Sequence, residues 1–271
     1  MTMKLVVRLA VMILGLAALG GCDGGHRGEA QPTCSLATLK GRYIFAYDGF
    51  NVSGPSAADR VPFAAAGHET YSGDGAVSGF STTSTNGVVS AAAYSGTYTL
   101  EADCSGTTAL RDENGVTSHY GIVVQQNGLV VGYAGTDPNV VTAGYESRRS
   151  GSQSACNPDS LQGTYIYAND GFETGGGTST QRSPFAQAGV EVYDGDGTMS
   201  GSVTSNSNGA VSRVSYDGTY TVDDDCAGEI TSGSAGQEPF HFAIYVDPSG
   251  EEFAFVRADA DVVNAGYDRR Q

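Results

Sequence analysis

Two short phrases decide how this chain is read: Tyr71–Gly79, YSGDGAVSG, and Tyr193–Gly201, YDGDGTMSG. Carboxylates among glycines suit either a calcium loop or the turn of a β-hairpin. A calcium loop needs six to eight oxygen ligands, whereas the first phrase offers one carboxylate and the second two. Asp74-Gly75 and Asp196-Gly197 lie between alternating apolar and polar runs, where Asp-Gly supplies the positive backbone angles of a two-residue hairpin turn. Asn86-Gly87 and Asn208-Gly209 repeat the device one hairpin later. The phrases read as turns, and no metal site is assigned to them.

The interval between the phrases, 122 residues, is the period of the whole chain. Sliding the sequence by that amount aligns 34–149 with 156–271 without a gap, and 47 of the 116 pairs are identical. Such identity means internal duplication. Within each copy no helical period occurs. Runs rich in Tyr, Val, Ile, Phe and Thr alternate with Gly, Asn, Asp and Ser clusters, which predicts an antiparallel all-β module of about eight strands. In the first copy the runs fall near 41–47, 62–71, 76–83, 88–101, 106–111, 118–125, 129–135 and 139–147, with a bulge expected at Gly96. The polar stretch 150–155 is the expected linker, and each module is expected to fold alone.

The amino terminus gives the address. Lys4 and Arg8, an apolar run and small residues before Cys22 have the layout of an export signal. Leu19-Gly20-Gly21-Cys22 resembles the lipobox of bacterial lipoproteins. That resemblance implies cleavage after residue 21, acylation of Cys22, a polar tether over 22–33, and a membrane anchor of several acyl chains. The modules would then stand in the periplasm or at the cell surface. Export into an oxidising compartment suits Cys34, Cys104, Cys156 and Cys226. Three pairings exist for four cysteines, and the duplication favours Cys34–Cys104 with Cys156–Cys226. Cleavage removes Lys4, Arg8 and no acid, so a formal charge of −16 becomes −18. That balance excludes nucleic acid as a partner.

Two folds accommodate eight short antiparallel strands. A β-sandwich of the immunoglobulin kind wants its first Cys inside a strand, a Trp, and a Tyr two residues before the second Cys. Here Cys34 precedes the first run, Trp is absent, and Tyr98 lies six residues before Cys104. An up-and-down barrel is the better expectation. Gly41-Arg42-Tyr43 and Gly163-Thr164-Tyr165 at the module starts, with Arg148 and Arg270 at the ends, resemble the Gly-x-Trp and closing Arg of the calycin superfamily, the lipocalins and avidins. The resemblance implies a barrel plugged at one end by Tyr43 with Arg148, and Tyr165 with Arg270. Its open mouth would be rimmed by loops 51–61 and 173–183.

Chemistry is sparse. No P-loop, HExxH, CxxC or GxSxG pattern occurs, so no catalytic residue or cofactor is assigned. The ligand-binding candidates are polar residues found at the same position in both modules. Glu69 with Tyr71, and Glu191 with Tyr193, lie on an aromatic strand face, and the plainest reading pairs each Glu with Arg148 or Arg270. His119 and His241 alternate with apolar positions and are expected to face outward or at a rim. Arg60 and Arg182 close the long loops. These residues point to non-catalytic binding of a small apolar ligand or an envelope protein. The alternatives are an interaction protein with filled barrels, or an isomerase resembling the allene oxide cyclases with Glu and Tyr as acid–base groups.

Overall fold

The computed structural model describes residues 33–150, 155–176 and 180–271. The expected export signal, Cys22, the expected tether up to residue 32, linker positions 151–154 and loop positions 177–179 lie outside the described residues.

The strands form two closed antiparallel barrels of eight strands each. The first consists of β1 (Lys40–Val52), β2 (Arg60–Ser72), β3 (Ala76–Thr85), β4 (Val88–Leu100), β5 (Ser105–Asp112), β6 (Thr117–Val124), β7 (Val130–Gly135) and β8 (Val140–Arg148). The second runs through β9 (Gln162–Thr174), β10 (Arg182–Asp194), β11 (Thr198–Ser207), β12 (Ala210–Val222), β13 (Ala227–Gly233), β14 (Phe240–Val246), β15 (Glu252–Arg257) and β16 (Val262–Arg270). Consecutive strands pair, and each barrel closes first strand on last, with Tyr43 opposite Arg148 and Tyr165 opposite Arg270. The barrel expectation holds and the sandwich alternative does not.

The turns behave as their residues demand. Asn86 and Gly87 have φ of 52° and 79°, and Asn208 and Gly209 have 48° and 91°, the double positive φ of a type I′ hairpin. The Asp-Gly turns are one residue longer than expected: Gly73, Asp74 and Gly75 separate β2 from β3. Two glycines at φ 88° and 108° bracket Asp74. Side chains beside the loop satisfy it. Ser72 Oγ donates to Ala76 O at 2.8 Å, and Asp194 Oδ1 accepts from the Asp196 and Thr198 amides at 2.8 and 2.9 Å. The expected bulge at Gly96 is absent, because β4 keeps unbroken register with β3 and β5. Gly96 is needed instead for close approach, since a Cβ there would stand 2.0 Å from Ala109 O.

One end of each barrel is plugged. Tyr43, Tyr71 and Tyr98 meet edge to face at 5.2 and 5.1 Å, as do Tyr165, Tyr193 and Tyr220 at 5.3 and 5.1 Å. The hydroxyls of Tyr43, Tyr98, Tyr165 and Tyr220 satisfy backbone carbonyls of the end loops. Tyr43 donates to Gly128 O, and Tyr98 reaches Leu36 O and Leu39 O at 2.8 and 2.9 Å. The Cys34–Cys104 and Cys156–Cys226 disulfides pin the entering chain to the same end, each bridging 70 residues. Arg148 and Arg270 remain exposed there. Each guanidinium Nε lies 3.3 Å from where a Cβ on Gly41 or Gly163 would stand.

The barrels are not separate bodies. Ile44, Ala46, Ala64 and Ala66, on the outer face of β1 and β2, form one buried cluster with Tyr245, Ala254, Val256 and Val263 on the outer face of β14 to β16. Small side chains let the two walls approach. Hydrogen bonds then register them: Ala46 N donates to Tyr267 Oη at 2.9 Å, Thr82 and Tyr245 hydroxyls bond at 2.8 Å, and Ser84 Oγ donates to Val262 O at 3.1 Å. Residues 33–271 form one compact unit, in which the two modules share this seam.

Candidate functional site

Above its plug each barrel is hollow. The first cavity measures about 460 Å³ and the second about 300 Å³, both within the usual size of small-molecule sites. At the starts of the long loops Asn51 lines the first and Glu173 the second, and Asp112, Glu113 and Asn114, at the end of β5 and just after it, line the first. Of the loops expected to rim the mouths, 51–61 and 173–183, only Asn51 and Glu173 line the cavities among the described residues.

Alternation along the strands sends Phe45, Tyr47, Phe63, Glu69, Tyr94, Tyr120, Tyr133 and Glu146 into the first cavity. Tyr47 sits at the centre of its aromatic wall, edge to face with Phe63, Tyr120 and Tyr133 at 6.1, 6.5 and 5.7 Å. Tyr94 reaches across β3 because position 79 is Gly, where a Cβ would stand 2.4 Å from its hydroxyl.

The polar floor is a pair of carboxyls. Glu69 on β2 and Glu146 on β8 are 4% and 3% exposed, and each has one oxygen without a partner. Glu146, Tyr94 and Tyr71 are the polar side chains around Glu69, and Tyr71 Oη donates to Glu146 Oε1 at 3.2 Å. The expected pairing with Arg148 does not occur, because that guanidinium lies outside the closed end. Burial pushes Glu69 up to about 7. Burial, followed by the charge of Glu69, pushes Glu146 well above the ordinary carboxyl range. The charge of Glu69 thus opposes ionisation of Glu146, and the two carboxyls titrate as a pair.

The second barrel repeats the floor with one side chain shortened. Glu191 Oε2 accepts from Tyr193 Oη at 2.5 Å and Glu191 Oε1 from Tyr216 Oη at 2.6 Å, while Tyr167 and Tyr216 hydroxyls bond at 3.0 Å. Asp268 occupies the place of Glu146, 3% exposed, with its Oδ1 unpartnered and its acidity suppressed by burial and by Glu191. Above this floor the second cavity departs from the first. Arg257 lines it, pairs with Asp259, and lies 4.1 and 5.0 Å over the rings of Phe240 and Phe242.

The structure thus divides the sequence candidates. Glu69 and Glu191 line the cavities, whereas Tyr71 and Tyr193 belong to the plugs beneath and touch the sites only through their hydroxyls. His119 and His241 face outward, with side chains 52% and 49% exposed, each bonded through Nδ1 to Asp137 or Asp259 at 2.7 and 2.6 Å. Arg60 is exposed and Arg182 half-buried at the start of β2 and β10, and neither lines a cavity. The sequence reading missed Glu146 and Asp268. Their signal was an acid at one register position of both copies, on the inward face of the last strand.

No protein-family model matches the sequence, and no curated protein matches it. Among solved structures, the chain is similar to the isotype 1 transferrin binding protein B of serogroup B Neisseria meningitidis. That likeness has 9% identity and a TM-score of 0.29, over 86% of this chain and 75% of that one. At that score it carries nothing for the function of this chain.

Proposed function

We propose that this chain is an envelope lipoprotein, anchored through acylated Cys22, whose calycin-like barrels bind small molecules without chemistry, and that the first barrel takes an organic amine with an apolar body. The observation that carries the ligand class is the charge of the first cavity. Glu69, Glu146, Asp112 and Glu113 line it, and among the described residues no Lys, Arg or His does. A buried carboxylate pair without a cation is costly, and an ammonium ion would supply the missing charge and fill the unpartnered oxygens. Aromatic walls add cation–π attraction and bury the ligand's apolar part. The net negative charge of the protein draws cations toward the mouth.

The probes are 2-phenylethylammonium and its neutral analogue 2-phenylethanol, titrated calorimetrically. The ammonium is expected to bind at pH 8 and more weakly at pH 5, where the carboxyl pair is protonated. Glu69→Gln should cost about tenfold or more, the value of one charge-assisted hydrogen bond. Equal binding of the alcohol would mean an apolar ligand class, and binding of neither would return the barrels to a structural role. The anchor is tested separately. Cys22→Ala is expected to move the protein from the membrane fraction to the soluble one or to block its processing, and an unchanged membrane fraction would overturn it.

A second reading, acid–base catalysis as in the barrel-shaped isomerases, is favoured by Glu191 standing within hydrogen-bond reach of two tyrosine hydroxyls. Native mass spectrometry of protein isolated from its own envelope, with the released compound compared before and after incubation, separates the two. Binding leaves the compound unchanged.

A further inference from the structure

The seam between the barrels joins two different faces, and duplication has written both faces twice. The first barrel contributes the outer face of β1 and β2, with Ile44, Ala46, Ala64 and Ala66. The second contributes the outer face of β14 to β16, with Tyr245, Ala254, Val256 and Val263. Shifted by the repeat, the first face recurs on the second barrel as Ile166, Ala168, Ala186 and Ala188. The second face recurs on the first barrel as Val123, Gly132, Ala134 and Val141. The recurring faces have no cover. Ile166 is 47% exposed where Ile44 is fully buried, and Val123 and Val141 are 64% and 62% exposed where Tyr245 and Val263 are 2%. Ala134, Ala168, Ala186 and Ala188 are exposed as well.

We propose that a second copy of this chain docks on these faces by repeating the seam, so that the β9–β10 face of one molecule receives the β6–β8 face of the next. The polar contacts have counterparts able to form. Asn206, at the position of Ser84, offers an amide to Val140 O, and Tyr145 offers its hydroxyl to the Ala168 amide as Tyr267 does to Ala46. Gly209 has nothing within 4 Å, whereas its twin Gly87 packs against Asp261. The hydroxyl bond of Thr82 with Tyr245 has no counterpart, since Val123 replaces the Tyr, so the contact between molecules is the weaker of the two. There is room for it. On the first barrel β7 stands three strands from β2 around an eight-strand wall, so two neighbouring barrels do not collide. A contact between unlike faces leaves one of each free at the ends, and it either propagates as a filament or closes as a ring.

The test uses two variants of the full chain in mild detergent. Ile166→Glu spoils one face and Ala134→Glu the other, each at an exposed position outside both cavities. Sedimentation is expected to show wild-type mass rising with concentration and each variant fixed at the monomer. An equimolar mixture of the two should form a heterodimer, because each retains the face its partner lost. That complementation also shows that neither variant has simply misfolded. Wild type monomeric up to about 1 mM, a limit that excludes any affinity tighter than millimolar, would overturn the proposal. So would variants that associate as wild type does, or a mixture that stays monomeric.

Discussion

Glu69→Gln is expected to make the protein more stable at pH 8, by roughly 3 kcal/mol, although it removes a hydrogen-bonded side chain from the interior. The carboxyl ionises near 4.5 in an unfolded chain and at about 7 in the folded barrel. Between those values the folded state holds the extra proton, so stability is full below 4.5 and falls as pH rises toward 7. A separation of about 2.5 units, at 1.36 kcal/mol each, sets the size of the loss. Glutamine keeps the shape and carries no charge. Urea denaturation of both proteins at pH 5 and pH 8 checks the result, and the difference between them is what counts. His68, half-buried in the seam and held down to about 4 chiefly by desolvation, contributes the opposite slope below 6.5 and cancels in the comparison. A wild type no less stable at pH 8 than at pH 5, relative to the variant, would mean that the carboxyls do not share a buried site. The same substitution is expected to weaken amine binding, so gain of stability and loss of ligand would come from one atom change. That conflict marks functional positions, where local cost is tolerated for what the site does.

The barrel was legible because its punctuation is strong and repeated. Asn86-Gly87 and Asn208-Gly209 fix a turn type by backbone sterics alone, and the strands on either side keep alternation through Tyr94, Gly96 and Tyr98. The plug was legible through Gly41-x-Tyr43 and Gly163-x-Tyr165. The carboxyl pair was half legible. Glu69 announced itself on an aromatic face, but its partner lies 77 positions later, and only barrel closure between β1 and β8 brings them together. A charged residue on a wall invites an Arg as partner, and the Arg expected for it, Arg148, lies exposed outside the plug. The seam was not legible, for a physical reason. Ile44 and Ile166 stand in the same local phrase, YIFA against YIYA, so nothing local tells which copy is covered. Burial there is decided by the other barrel.

That asymmetry gives the sharpest comparison the molecule offers. Ile44→Ala is expected to cost about 3 kcal/mol, and Ile166→Ala less than about 0.5 kcal/mol, although the two isoleucines occupy the same register of the same strand in two copies of one module. Ile44 is fully buried among Ala64, Ala66 and the side chains of β14 to β16, so truncation leaves a cavity between two rigid walls that cannot collapse into it. Ile166 loses only contacts on an exposed surface. Denaturation of both variants at low protein concentration, where molecules do not associate, is the measurement. Because the seam is shared, Ile44→Ala should lower the stability of both barrels, so that the whole chain unfolds at lower denaturant. Equal small losses at both positions would mean that the barrels stand apart in solution. The seam would then be no template for contact between molecules, and the paired exposed faces would lose their reason to bind.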